Sequence, residues 1–277
     1  MGIYDGAVEV SRRTMTLFFL VDTSGSMEGS KIGTLNSAIE EVIPEIRKIS
    51  GENADAAIKI AALEFSSGAR WITPAPMDAN DFCWNYLDAD GLTDFGEMCK
   101  MLNEKLSRKA FMSDVAGSFA PAIFLLSDGE PTDDYQHELK NLKENNWFKK
   151  AIKVAVAIGE DANKDVLAEF TGNKEAVITV HTPEALTKMI RFVSVTASQI
   201  GSKSSGVGKS GVDEATNKQD DTIAAIHSAV DEDPSMTAAD DQPYLAIRCV
   251  LTSRRVFPFS PPRKCISNPS YMNFFGS

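Results

Sequence analysis

Two uninterrupted apolar runs constrain this chain more than anything else in it: Leu17-Phe18-Phe19-Leu20-Val21 and Ala122-Ile123-Phe124-Leu125-Leu126. A strand with one wet face alternates apolar and polar residues, whereas a run apolar at every position needs cover on both faces, as in a parallel sheet between helices. The intervening segments supply those helices. Ile32, Leu35, Ile39, Val42, Ile43 and Ile46 recur at helical spacing from Ser30 onward, and Pro44 among them predicts a kink or a restart. Phe95, Met98, Cys99, Leu102 and Leu106 repeat at three- and four-residue steps, Tyr135 to Asn145 is polar and amphipathic, and Asp165 to Phe170 is a short helix. Thr182-Pro183-Glu184 opens a last helix, to about residue 200, with Thr182 as its N-cap. Ile58 to Phe65 and Ala69 to Thr73 flank Ser66-Ser67-Gly68 as a hairpin, and Ile152 to Ile158 and Ala176 to Val180 are further strands. Alternating strands and helices predict an α/β fold: a doubly wound, Rossmann-like, mainly parallel sheet with one antiparallel edge strand and helices on both faces.

Both apolar runs end at oxygen-rich loops. The first continues as Asp22-Thr23-Ser24-Gly25-Ser26 and the second as Ser127-Asp128-Gly129-Glu130-Pro131-Thr132. In an open α/β sheet, ligands collect outside the carboxyl ends of the strands, where neighbouring connections diverge. If the two strands are neighbours, Asp22, Ser24, Ser26 and Asp128 point into one crevice, joined by Thr93 at the start of the helix after Gly91-Leu92-Thr93-Asp94. Carboxylates and hydroxyls suit a hard cation, Mg²⁺ first, with Mn²⁺ or Ca²⁺ as alternatives. Mg²⁺ takes about six oxygens at about 2.0–2.1 Å, so three hydroxyls leave positions open. Gly25 gives the backbone freedom to turn between the ligands. Taken singly, Ser24, Ser26, Thr93 or Asp94 reads more simply as a helix cap, and Asp133 and Asp134 as charges favouring a helix N-terminus. Glu130 reads as a solvated loop charge. Their joint occurrence in this order is what points to a site.

On these residues the chain resembles the von Willebrand factor type A family, whose metal-ion-dependent adhesion site uses Asp-x-Ser-x-Ser, a distant Thr and a distant Asp. The matching positions are Asp22, Ser24, Ser26, Thr93 and Asp128, and the resemblance covers roughly Arg13 to Ser202. It implies a metal-dependent protein-binding adaptor and not an enzyme, the ion bridging to an Asp or Glu of a protein partner. The stretches Asp22 to Met27 and Ser127 to Asp134 look most like the bacterial branch associated with tellurium-resistance and stress-response gene clusters. That branch implies a cytoplasmic module accompanying kinase and phosphatase partners. The alternative is a metal-dependent hydrolase or phosphatase in which the same ion activates water, although no general base is evident.

Other classes fail on particular residues. A haloacid-dehalogenase-type phosphotransferase needs a second aspartate two residues after the first, where Ser24 stands, and a receiver-type phosphoacceptor wants clustered acids where this site has hydroxyls. Gly206-Val207-Gly208-Lys209-Ser210-Gly211 fits a dinucleotide fingerprint formally, but no apolar strand precedes it and no helix pattern follows. His137, His181 and His227 are scattered, and Cys83, Cys99, Cys249 and Cys265 lack metal or disulfide spacing. A formal charge of −11 opposes nucleic acid or an anionic membrane as partner, and no secretory signal is visible, so a cytoplasmic location is expected. Residues 1–12 read as an extension, 13–202 as the domain, and 203–244 as an acidic polar linker. Within that linker Asp221 to Val230 is either a short docking helix or, more readily, unstructured. Residues 245–277 carry Arg248, Arg254, Arg255, Arg263 and Lys264 with no acid, +5 against −16 for the remainder, and read as a disordered tail with phenylalanines and prolines.

Overall fold

The computed structural model describes residues 12–54, 56–114, 117–159, 162–201 and 211–236. The expected extension apart from Arg12, the glycine motif before Gly211, and the expected disordered tail lie outside the described residues. Seven strands, β1 (Arg13–Asp22), β2 (Ala56–Ser66), β3 (Gly68–Trp71), β4 (Met77–Asp78), β5 (Ala122–Ser127), β6 (Ile152–Ile158) and β7 (Val177–Val180), form one sheet in the order β3-β2-β1-β5-β6-β7. β1 pairs in parallel with β2 on one side and β5 on the other, and β5, β6 and β7 continue in parallel. β3 is the antiparallel edge that the hairpin pattern predicts; the two-residue β4, which no sequence pattern announces, adds a second short antiparallel pairing to β2.

The chain leaves β1 toward β2 and later returns to β1's other side through β5, so the switch point of the sheet lies between β1 and β5. Successive β1 residues point to opposite faces. Leu17, Phe19 and Val21 join one core with residues of α1 (Ser30–Glu52) and α6 (Pro183–Gly201). Phe18 and Leu20 join the other with residues of α2 (Phe95–Lys105), α3 (Gln136–Glu144), α4 (Asn146–Lys150) and α5 (Lys164–Thr171). Two cores explain why the run is apolar throughout. Thr182 Oγ1 accepts the Ala185 N–H at 3.1 Å, so the cap expected for α6 is present.

One expectation is narrowed and another corrected. α1 runs from Ser30 to Glu52 as one element through Pro44, without a restart. Ile43 and Ile46, on either side of the proline, are both buried, so packing on the sheet outweighs the one backbone bond that proline removes. The supposed linker contains α7 (Gly211–Glu232), a 22-residue helix longer than the island its apolar spacing suggests. Ile223 and Ile226 are buried, Lys218 Nζ donates to the Gly201 carbonyl at the end of α6 at 3.1 Å, and Lys188 Nζ reaches Asp233 at 2.7 Å. The Gln219 side chain completes the docking. Its Oε1 accepts the Lys153 N–H at 2.7 Å and its Nε2 donates to the Lys153 carbonyl at 2.9 Å. Lys153 lies ahead of the residues of β6 that pair with β7, so the amide stands in for a missing neighbour strand.

If α7 is part of the fold, Ile226→Ala costs about 2–4 kcal/mol and Gln219→Ala about 1–2 kcal/mol in urea unfolding. A solvated linker would leave both midpoints where they were.

Candidate metal centre

The register of β1 and β5 pairs Val21 with Leu126, which sets Asp22 level with Ser127 and Asp128 one residue beyond, at the carboxyl ends of adjacent strands. Asp22 is 0% exposed and Asp128 1% exposed. Asp22 Oδ1 accepts the Ser24 N–H at 2.9 Å, and Oδ2 accepts the Ser127 hydroxyl at 2.5 Å. The Ser127 Oγ in turn accepts the Gly129 N–H at 2.8 Å, so one serine couples the two strand ends. Burial pushes the Asp22 carboxyl up to about 6; the bonds from Ser127 and Ser24 oppose that rise, and the charge of Asp128 adds to it.

Asp128 is the anomaly. Neither of its carboxylate oxygens has a hydrogen-bond partner although both are buried. Lys31 Nζ stands 3.5 Å from Oδ2, within ion-pair reach. A carboxylate taken out of water without hydrogen bonds is costly, and a cation is what normally offsets it.

Ser24 is buried and Ser26 exposed, with their hydroxyls 3.0 Å apart. Capping does not account for Ser24: it precedes the 3-10 turn Gly25–Met27 but makes no side-chain cap bond. Gly25 does not have positive φ, so its part is close approach and not an unusual turn. A Cβ there would lie 3.3 Å from the Gly91 oxygen, which accepts the Gly25 N–H at 3.0 Å. Gly129 does need its conformation: its φ is +72°, and a Cβ would meet the Asn163 oxygen at 2.7 Å.

Thr93 is buried and stitched to both strand-end loops. Its N–H donates to Thr132 Oγ1 and its carbonyl accepts the Thr132 N–H, each at 2.9 Å. On the other side, the Asp90 N–H donates to the Thr23 carbonyl at 2.9 Å. Asp94 occupies the N-cap position of α2 but makes no cap bond; its Oδ2 accepts the Gly68 N–H at 2.7 Å. Asp133 takes over the capping of α2, accepting the Gly96 N–H at 2.8 Å, a helix N-terminus other than the one its sequence position suggests. Glu130 is exposed, as expected of a loop charge.

The structure therefore brings the loops bearing Asp22, Ser24, Ser26, Thr93 and Asp128 to one crevice. Sequence reasoning missed Ser127 and Lys31; a serine just ahead of the second aspartate is a signal that reads as strand until pairing places it beside Asp22. Among the described residues no three His, Cys, Asp or Glu side chains converge, so an ion held here leans on hydroxyls. An all-oxygen set with two buried carboxylates fits a hard divalent cation.

Fold and crevice together define an α/β domain whose oxygen-rich loops gather at the switch point of the sheet. The match to the von Willebrand factor type A domain spans residues 16–192, and the chain belongs to that family. Among solved structures it is similar to the pilus adhesin SpaC from Lactobacillus rhamnosus GG, with TM-score 0.51 and 13% identity, over 67% of this chain and 30% of that one. It is also similar to proximal thread matrix protein 1 from the mussel byssus with a zinc-occupied MIDAS motif, with TM-score 0.50 and 16% identity, over 67% of this chain and 48% of that one. A von Willebrand factor type A protein from Catenulispora acidiphila matches at TM-score 0.48 and 19% identity, over 66% of this chain and 42% of that one. The chain thus spans less than half the length of these structures. No curated protein sequence matches it.

In chelator, stability falls as pH rises from about 4 to about 6, because the fold disfavours the ionised form of Asp22. Asp22→Asn flattens that part of a urea-midpoint profile, while an unchanged slope would mean that Asp22 is ordinarily solvated.

Proposed function

We propose that this chain is a metal-dependent protein-binding module in which Asp22, Ser24, Ser26, Thr93 and Asp128 hold a divalent cation, Mg²⁺ first. The observation that carries the reading is Asp128: a carboxylate 1% exposed, with neither oxygen accepting a hydrogen bond and Lys31 in ion-pair reach at 3.5 Å. When bound, the ion supplies an electrophilic position open to an oxygen donor from outside the chain. The residues of this chain do the rest. Ser127 and the Ser24 N–H fix the Asp22 carboxylate, the Thr132 bonds fix Thr93, and burial keeps competing water away from both acids. The donor we assign to the partner is an Asp or Glu side chain, the hard anionic oxygen such an ion prefers.

Von Willebrand factor type A domains generally mediate protein interactions, and the mussel relative is described with zinc at the equivalent motif. A binding module is favoured over a hydrolase because the two buried carboxylates at the crevice are both assigned to the ion, leaving neither as general base. On the stretches Asp22 to Met27 and Ser127 to Asp134, we place the chain in the bacterial tellurium-resistance and stress-response branch, acting in the cytoplasm beside kinase and phosphatase partners. Among the described residues no helix is long and apolar enough to cross a membrane.

Calorimetric titration with Mg²⁺ or Mn²⁺ gives saturable binding in the wild type and none in Asp22→Ala or Asp128→Ala, with circular dichroism unchanged. Equal binding in those variants overturns the site. Metal-dependent phosphoester turnover by the pure protein, lost in the same variants, would instead establish the hydrolase.

A further inference from the structure

The rim of the crevice carries information about which carboxylates can reach it. Lys and Arg are absent from residues 14–30, 71–99 and 110–139, which include the three loops that frame the site. Glu28, Asp90 and Glu130 are exposed on those loops. Two of them are tied by backbone bonds to the loop after β1, and the third follows a residue tied to the end of β5. The Glu28 N–H donates to the Gly25 carbonyl at 3.2 Å and the Asp90 N–H to the Thr23 carbonyl at 2.9 Å. Glu130 follows Gly129, whose N–H donates to Ser127 Oγ at 2.8 Å. Lys31 comes from α1 and is turned inward, its Nζ 3.5 Å from Asp128 Oδ2. Leu92, between Gly91 and Thr93, is 57% exposed, an apolar side chain displayed beside a ligand loop. At the strand end these loops share lies buried Asp128, whose carboxylate oxygens accept no hydrogen bond, the observation that points to a ligand here.

A divalent ion would offset Asp22 and Asp128 and leave the exposed acids uncompensated. An approaching carboxylate then meets like charge at the rim, and with a Debye length of about 8 Å at physiological salt, charges within two or three residues of that carboxylate decide whether it enters. Resting on the metal-dependent reading above, we propose that the crevice selects a protein segment in which one Asp or Glu is flanked by Lys or Arg, with a neighbouring apolar residue to cover Leu92, and that it rejects acidic runs.

Three labelled nine-residue peptides test this by fluorescence anisotropy with the full chain and saturating Mg²⁺. Each has a central Asp and one Leu, with flanks of Lys and Arg, of Ser and Gly, or of Glu. The basic-flanked peptide binds about three- to tenfold more tightly than the neutral one, the Glu-flanked one binds weakest, and the spread narrows in 0.5 M NaCl as rim charges are screened to about 4 Å. The triple variant Glu28→Lys, Asp90→Lys, Glu130→Lys, tested at Mg²⁺ raised until its own uptake saturates, reverses the order. Leu92→Ser weakens these peptides but not versions with Gly in place of Leu. Binding regardless of flanks, an order that survives the triple variant, or saturable Mg²⁺ uptake with no peptide bound overturns the selectivity alone. Absence of Mg²⁺ uptake removes the metal reading and this proposal with it.

Discussion

β1 lies between β2 and β5, hydrogen-bonded in parallel to both, and the alignment of its last residues governs what the protein can do. Pairing Val21 with Leu126 delivers Asp22 and Asp128 to adjacent strand ends where both are cut off from water. The resulting electrostatic cost differs between them. Asp22 is partly compensated by the Ser24 N–H and the Ser127 hydroxyl, and still has its carboxyl raised to about 6; the Asp128 carboxylate accepts no hydrogen bond and has only Lys31 within ion-pair reach. The two-sided apolar packing of β1 and β5 holds them there, since the hydrophobic contribution of a full core far exceeds one desolvated carboxylate.

Around that pair the loops are tied both to the strand ends and to one another. The segment from Asp90 to Thr93 bonds through Gly91 and Asp90 to the loop after β1, and through Thr93 to the loop after β5. Small residues make the stitching feasible: Gly25 admits the Gly91 carbonyl, and Gly129 takes a conformation and a proximity that a side chain would forbid. Within these loops the Asp128 carboxylate is left without a hydrogen bond. Two carboxylates buried at strand ends cost stability, and the offset is spread through the cores on both faces of the sheet.

Legibility tracked the range of the interactions involved. The apolar runs, the helical spacing of Ile32 to Ile46, the hairpin at Ser66 to Gly68 and the Thr182 cap all depend on near neighbours, and each element appears where its pattern places it. α7 did not announce its full length because much of its stabilisation comes from afar. Gln219 bonds to a strand end 66 residues away, and Ile226 is buried in a core built by α1, α6 and the sheet. Asp133 likewise caps a helix whose first turn lies 37 residues earlier, where local rules have nothing to say.

For the site, residue types and order were enough to nominate Asp22, Ser24, Ser26, Thr93 and Asp128, because carboxylates and hydroxyls at strand ends have few other uses in that combination. Their convergence was conditional on β1 and β5 being neighbours, a fact of strand order that no local pattern contains. The sequence alone determined the α/β class, the apolar strands and the oxygen chemistry of their loops, since these follow from composition and periodicity. Only the tertiary structure decided that the Asp128 carboxylate is buried without a hydrogen bond, that Ser127 braces Asp22, that Lys31 turns inward and that α7 belongs to the fold. Each of those depends on which distant atoms come within about 3 Å of one another and which are shut off from water.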